Sequence, residues 1–174
     1  PSGGDTLSFS NVFNNASHSS GTTGPYQTYV LYFSDVHTNA QNKITLQIQI
    51  GSGYLTGTIY QRVNFGRDSN GSTRTSEGSS QTTANLQSTN ANSSNWASRS
   101  GYIVFPQPGN ASARKTFFGQ ISYFSNETNS PLTIEQFTGM ADEGSNSMTG
   151  FRLLTSTSTY AGGTYYLYGL KGSA

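Results

Sequence analysis

KITLQIQIG, residues 43–51, decides the fold class. Ile44, Leu46, Ile48 and Ile50 alternate with Thr45, Gln47 and Gln49. A repeat of two puts all four apolar side chains on one face of an extended chain and leaves the polar ones on the other. Just upstream, YVLYFSDV (29–36) is apolar on both faces, as expected of a strand covered on both sides. The segment between them, HTNAQN, has turn composition and predicts that the two strands pair antiparallel.

Working outward, YLTGTIYQRVNF (54–65), GYIVFP (101–106), KTFFGQISYF (115–124) and LTIEQF (132–137) read as further strands. GFRLL (150–154) and GTYYLYGL (163–170) close the set. The pieces between them, 66–80, 88–98, 106–113 and 140–147, are rich in Gly, Ser, Asn and Pro and read as turns. No stretch carries apolar residues at i, i+3, i+4 and i+7 over a helical length. The expectation is an all-β chain: an antiparallel β-sandwich or jelly roll of about eight or nine strands with long polar loops. No fixed period recurs, which argues against a propeller or β-helix. A chain of 174 residues suits one domain, expected over 26–174, preceded by an extended arm over 1–25.

Composition narrows the function classes. Charged residues are 10% of the chain, against about 25% in typical soluble domains. With a net charge of +1 there is no basic stripe of the kind a nucleic-acid partner requires. No apolar run approaches the ~20 residues of a membrane-spanning helix. The start has no basic region followed by an apolar stretch and reads as carrying no signal peptide, although a chain whose signal had been removed would look the same. The absence of cysteine excludes disulfides, thiolate metal sites and a cysteine nucleophile.

The chemistry-bearing residues are sparse. Glycoside hydrolysis needs two carboxyl groups about 5–10 Å apart; Glu135 and Asp35, in or beside strands, are the one conceivable pair among eight acids, and solvated surface groups are the better reading. His18 and His37 fall in turn-like segments without metal or triad spacing. Asp68, Asn70 and Glu77 surround a turn, but Gly71 stands two positions early for a calcium loop, and Asn70-Gly71 reads as a type I′ hairpin turn. Trp96, on a polar loop, suits either a sugar-stacking platform or an indole plug packed on the sandwich. The 11 tyrosines suit protein interfaces or glycan platforms. No catalytic residue, metal or cofactor is expected.

The closing stretch carries a resemblance. Thr149, Gly150, Phe151, Arg152 and Leu153, followed by Gly163, Thr164, Leu167, Tyr168, Gly169 and Leu170, resemble the end of a β-sandwich module of tailed-bacteriophage virion proteins, found in head decoration proteins and tail-fibre tips. Tyr29 to Val36, GYIVFPQP (101–108) and Lys115, Gly119 and Tyr123 follow in the same order, so the likeness spans about 140 residues of the chain's 174. It departs in the polar insertions of 66–98 and at the N-terminus, where this chain's own partner contacts are expected.

The resemblance implies a capsid decoration (cement) protein at the virion's outer head surface, not an enzyme, with the major capsid protein and itself, as a homotrimer, for partners. The alternative it leaves is a tail-fibre, receptor-binding or carbohydrate-binding module that takes a host-surface glycan. Candidate contact residues are Leu7, Phe9, Val12 and Phe13 on the arm, Trp96, Arg152, and Tyr166 and Tyr168. Gly162-Gly163 is expected to set the turn into the last strand, and Arg152 to face an edge or a subunit contact.

Overall fold

The computed structural model describes residues 6–13, 26–93, 97–143, 146–155 and 158–171. Twelve strands run through them, and no helix. In chain order they are β1 (Thr6–Phe9), β2 (Thr28–Thr38), β3 (Ile44–Ile50), β4 (Gly53–Tyr54), β5 (Tyr60–Asp68) and β6 (Thr73–Gln81). Then follow β7 (Ala84–Asn85), β8 (Arg99–Pro106), β9 (Lys115–Phe124), β10 (Leu132–Ala141), β11 (Met148–Thr155) and β12 (Tyr160–Leu170). They form two antiparallel sheets packed as a β-sandwich. The smaller has the order β1-β11-β3-β4, with β7 also on β3; the larger has the order β12-β2-β8-β9-β10-β5-β6.

The period-2 run at 44–50 is β3, with Ile44, Leu46 and Ile48 buried. It does not pair with β2. β2 lies between β12 and β8 in the larger sheet, so HTNAQN carries the chain from one layer to the other. The two closing strands part in the same way, β11 into the smaller sheet and β12 onto an edge of the larger. Gly162 and Gly163 are not the turn between them: both lie inside β12, at two register shifts against β2. Gly163 has φ +134, and a Cβ there would come within 2.9 Å of Val36, so the bulge requires glycine.

The core at one end is aromatic. Phe151 stacks on Phe9 at 4.6 Å and on Phe105 at 4.5 Å, and Phe13 sits against Tyr29 at 4.7 Å. Phe13 is buried, and Leu7, Phe9 and Val12 pack against the same core. The expected arm is therefore corrected for residues 6–13. β1 pairs with β11, from Thr6↔Leu154 to Phe9↔Phe151, and these four apolar side chains cover the chain's own sandwich. Burying them internally removes apolar surface from water without waiting for a partner.

The other end of the interior is polar, and the reason is geometric. The larger sheet is wider than the smaller, so β10 and β5 are roofed by the segment that leaves β7. Leu86, Gln87 and Ala91 of that segment are buried. Its backbone groups need partners, and inward side chains supply them. The Glu135 carboxylate accepts the Ser88 N–H at 2.8 Å, the Ser88 hydroxyl at 2.6 Å and the Tyr123 hydroxyl, while the Lys43 ammonium donates to the Ser88 carbonyl. The stretch 66–98, expected as polar insertions for partner contacts, thus includes, in its described part, a sheet strand, β6, and this internal roof.

Candidate functional site: the outer face of the larger sheet

On β5 the ends fix the register. Tyr60 points inward, its hydroxyl donating to the Leu55 carbonyl at 3.0 Å and accepting the Ile48 N–H at 2.8 Å; burial pushes its pKa up to about 12. At the far end, Asp68 Oδ1 accepts the N–H groups of Asn70 and Ser72, each at 2.9 Å, and closes the hairpin to β6. The Gly71 N–H bonds to the Asp68 carbonyl, the Asp68 N–H bonds to the Ser72 carbonyl, and Gly71 alone of the turn has positive φ. That is a three-residue loop with a bulged glycine, not the expected type I′ turn. Asp68 is taken up by this turn and by Arg74, which leaves no calcium-ligand role for it.

With Tyr60 and Asp68 both inward, every second residue between them must follow. Arg62, Asn64 and Gly66 face the interior, and Val63 and Phe65 face solvent. β10 behaves alike. Phe137 and Ala141 are core residues, so Thr133 and Glu135 are buried while Leu132 and Ile134 stand outside. Over part of each strand the polarity is inverted: Arg62, Asn64, Thr133 and Glu135 are inside, and Val63, Phe65, Leu132 and Ile134 are out.

The outward residues line up across all seven strands. One row runs Tyr166, Tyr32, Tyr102, Gln120, Gln136, Phe65, Thr75. The row two residues along the strands runs Tyr168, Val30, Val104, Phe118, Thr138, Val63, Glu77. Of ten exposed large apolar side chains among the described residues, nine stand on this face, Phe65 at 58% exposure the most open; the tenth, Tyr26, flanks its corner. The tyrosines form one cluster, with Tyr32 at 6.0 Å from Tyr102 and 5.9 Å from Tyr168, and Tyr166 at 6.4 Å from Tyr168. Shallow depressions of about 590, 480 and 380 Å³ open along this face. Within these strands the exposed charged side chains are Asp35, at the β2 bulge, and Arg67 and Glu77, toward the β5–β6 side.

The face is flat and broad. Seven strands ~4.8 Å apart and about nine residues long at ~3.3 Å each give a footprint of roughly 900 Å². A stable interface takes about 800 Å² from each partner.

Other candidate groups are dispersed. Glu135 is enclosed between the sheets, whereas Asp35 is an exposed bulge residue with φ 56 whose carboxylate bonds His37 at 2.9 Å, so the two carboxylates do not face one another across a cleft. No group of three His, Asp or Glu side chains gathers among the described residues. Arg99 is fully buried, donates to the carbonyl and side-chain oxygens of Asn42 at 3.2 and 3.1 Å, and has its pKa lowered to about 10 by burial.

Of the residues expected as contacts, Tyr166 and Tyr168 stand on the outer face. Arg152 lies on the opposite side of the molecule, on a strand flanked by β1 and β3 and so not at an edge. It donates twice to Gln47 Oε1, at 2.8 and 2.6 Å, and lies 4.3 Å over the Tyr54 ring. Trp96 and His18 lie outside the described residues. Sequence reading missed Tyr32, Tyr102, Phe118, Val63, Phe65 and Ile134. The signal available for some of them was doubled apolarity, as in YVLYF and KTFFGQISYF, where neighbouring residues cannot share one face.

Compared with known proteins, the chain matches no family model, no curated protein and no solved structure at a significant level.

Proposed function

We propose that the chain is a structural protein of a bacteriophage virion: a capsid decoration (cement) protein that binds the outer head surface and stabilises the shell. The outer face of the larger sheet is the docking surface for the major capsid protein. One observation carries the docking role: β5 and β10 bury Arg62, Asn64 and Glu135 and turn Val63, Phe65 and Ile134 to solvent. For a chain working alone in water the opposite register removes more apolar area. The inverted one is favoured when a partner covers the outside. The virion setting rests on the resemblance of the closing strands, and low charge density suits copies crowded on one surface.

The test is binding of purified chain to capsids that lack it, followed by the heat stability of the particles. Phe65→Ser and Tyr32→Ser are expected to abolish binding and Arg152→Met to leave it intact. Unaltered binding by both outer-face variants defeats the assignment of the face; no binding by the parent chain defeats the capsid reading.

A second reading, a receptor- or glycan-binding tail-fibre module, is favoured by the Tyr32, Tyr102, Tyr166 and Tyr168 cluster, since aromatic rings stack on sugars. A glycan array with the parent and Tyr168→Ala separates the two. Self-association belongs to either reading. The homotrimer implied by the resemblance needs two different patches on each copy, whereas the contact argued next uses one patch twice.

A further inference from the structure

Among the described residues the larger sheet has two unpaired edges, and they are built differently. β6 carries Arg74 and Glu77 in a run of Ser, Thr and Gly, the kind of strand that resists pairing. β12 has eleven residues, no charge and no proline, and among the described residues pairs only with β2. Its bulges are confined to the stretch before Thr164, which leaves Thr164–Leu170 regular. An open, uncharged, apolar edge of that length is a template for another strand.

Which groups it offers follows from the ladder. The Gln27 N–H bonds to the Leu170 carbonyl at 3.0 Å, so even-numbered residues of β12 turn their backbone groups toward β2. On the other side of β2, the Gln107 N–H bonds to the Gln27 carbonyl at 2.7 Å, as that parity requires. Tyr165, Leu167 and Gly169 therefore present N–H and C=O to the open edge. The outward side chains beside them are Tyr166, Tyr168 and Leu170.

We propose that this edge pairs with the same edge of a second copy, antiparallel about a twofold axis at Leu167, which joins two larger sheets into one. Leu167 then opposes Leu167 of the other copy, and Tyr165 opposes Gly169, so all three open residues of each strand are used. On the outer face Tyr166 meets Tyr168 of the other copy, and the tyrosine cluster continues across the junction. The electrostatics permit it: Lys171, the nearest charge along the strand, is four residues from the axis, so the two lysines stand about 26 Å apart, beyond the screening length of about 8 Å at physiological salt. Half-exposed Tyr166, Tyr168 and Leu170 offer roughly 100 Å² each. That is small against a standard interface, so the dimer dissociates on dilution into the micromolar range. The pairing needs nothing from the shell-binding reading.

The experiment is sedimentation of the full chain over a range of concentrations, with hydrogen exchange of β12 read at both ends of the range. The parent is expected to shift from monomer to dimer, with the Tyr165, Leu167 and Gly169 amides protected only in the dimer. Tyr166→Lys and Tyr168→Glu are each expected to weaken association about tenfold or more. The double variant Y166K/Y168E is expected to recover it, because each lysine then faces a glutamate across the axis. Phe65→Lys, on the far side of the same face, is expected to leave it unchanged. Thermal melts confirm that each variant is folded. Dimer loss with Phe65→Lys but not with Tyr166→Lys, failure of the double variant to recover, a trimer, a monomer throughout, or protection of these amides independent of concentration each overturns the proposal.

Discussion

Changing Phe65 to serine, and separately Asn64 to alanine, tests whether β5 is inside out. A fully buried phenylalanine contributes about 1.5–3 kcal/mol by burial. Phe65 is 58% exposed, so about two-fifths of its surface is covered and Phe65→Ser forgoes roughly 1 kcal/mol. Asn64 is fully buried, and its Oδ1 accepts from Arg62 Nη1 at 3.0 Å. Alanine there leaves a buried guanidinium short of an acceptor, at a cost of about 1–3 kcal/mol. The polar truncation therefore matches or exceeds the aromatic one, the reverse of the usual order. Phe105→Ala, in the aromatic core, sets the scale at about 3–5 kcal/mol. Urea unfolding by linear extrapolation measures all three. A loss above about 3 kcal/mol for Phe65→Ser, with Asn64→Ala neutral, would show that Phe65 is a core residue and that the docking face does not exist.

Tyr123→Phe removes one of three hydrogen bonds to the Glu135 carboxylate and is expected to lower stability by about 1.5–3 kcal/mol, read as a fall in melting temperature of several degrees. Phe13→Ala is expected to cost about 3–5 kcal/mol in the same assay; a neutral result would return residues 6–13 to a free arm. Burial raises the pKa of Tyr60 to about 12 and also raises those of Tyr123, Tyr160 and Tyr165. Because the folded-state values lie above the unfolded value near 10, their contribution is complete below pH ~10 and is lost as pH rises through about 12. Arg99, lowered to about 10, acts in the opposite direction over the same range, but as one group against four. Melting temperature is expected to fall steeply above pH ~10, with tyrosinate absorbance from these residues appearing only on unfolding; ionisation in the folded state would refute it.

Fold class was legible in KITLQIQIG because its apolar residues recur at every second position, although Gln47 and Gln49 of the polar face prove buried as well. Partnership was not. HTNAQN looks the same whether it joins neighbours in one sheet or passes between layers, and the bonds that decide this join residues far apart in sequence. β6 was read as loop because TRTSEGSSQ has no apolar face to report; it joins β5 by backbone pairing and by polar side chains, Ser76 with Arg62 and Arg74 with Asp68. β5 was misleading in the other sense. Arg62 and Asn64 point inward and bond each other, and Arg62 also bonds Ser76 of β6, whereas an alternation rule assigns Val63 and Phe65 inward. The candidate site was half visible. Tyr166 and Tyr168 emerged from a strand apolar on both faces, but their neighbours Tyr32 and Tyr102 become neighbours only once β12, β2 and β8 lie side by side.

The pairing of β1 with β11 has a consequence during synthesis. Thr6 finds its partner at Leu154, so the first strand must wait for almost the whole chain before it can join its sheet. At about 5–20 residues per second, the 148 residues between them take roughly 7–30 seconds to be made. Throughout that time Phe9 lacks the rings it packs against, Phe151 and Tyr165. The hairpins β5–β6, β8–β9 and β9–β10 can close early, but the smaller sheet cannot be completed until β11 has been made.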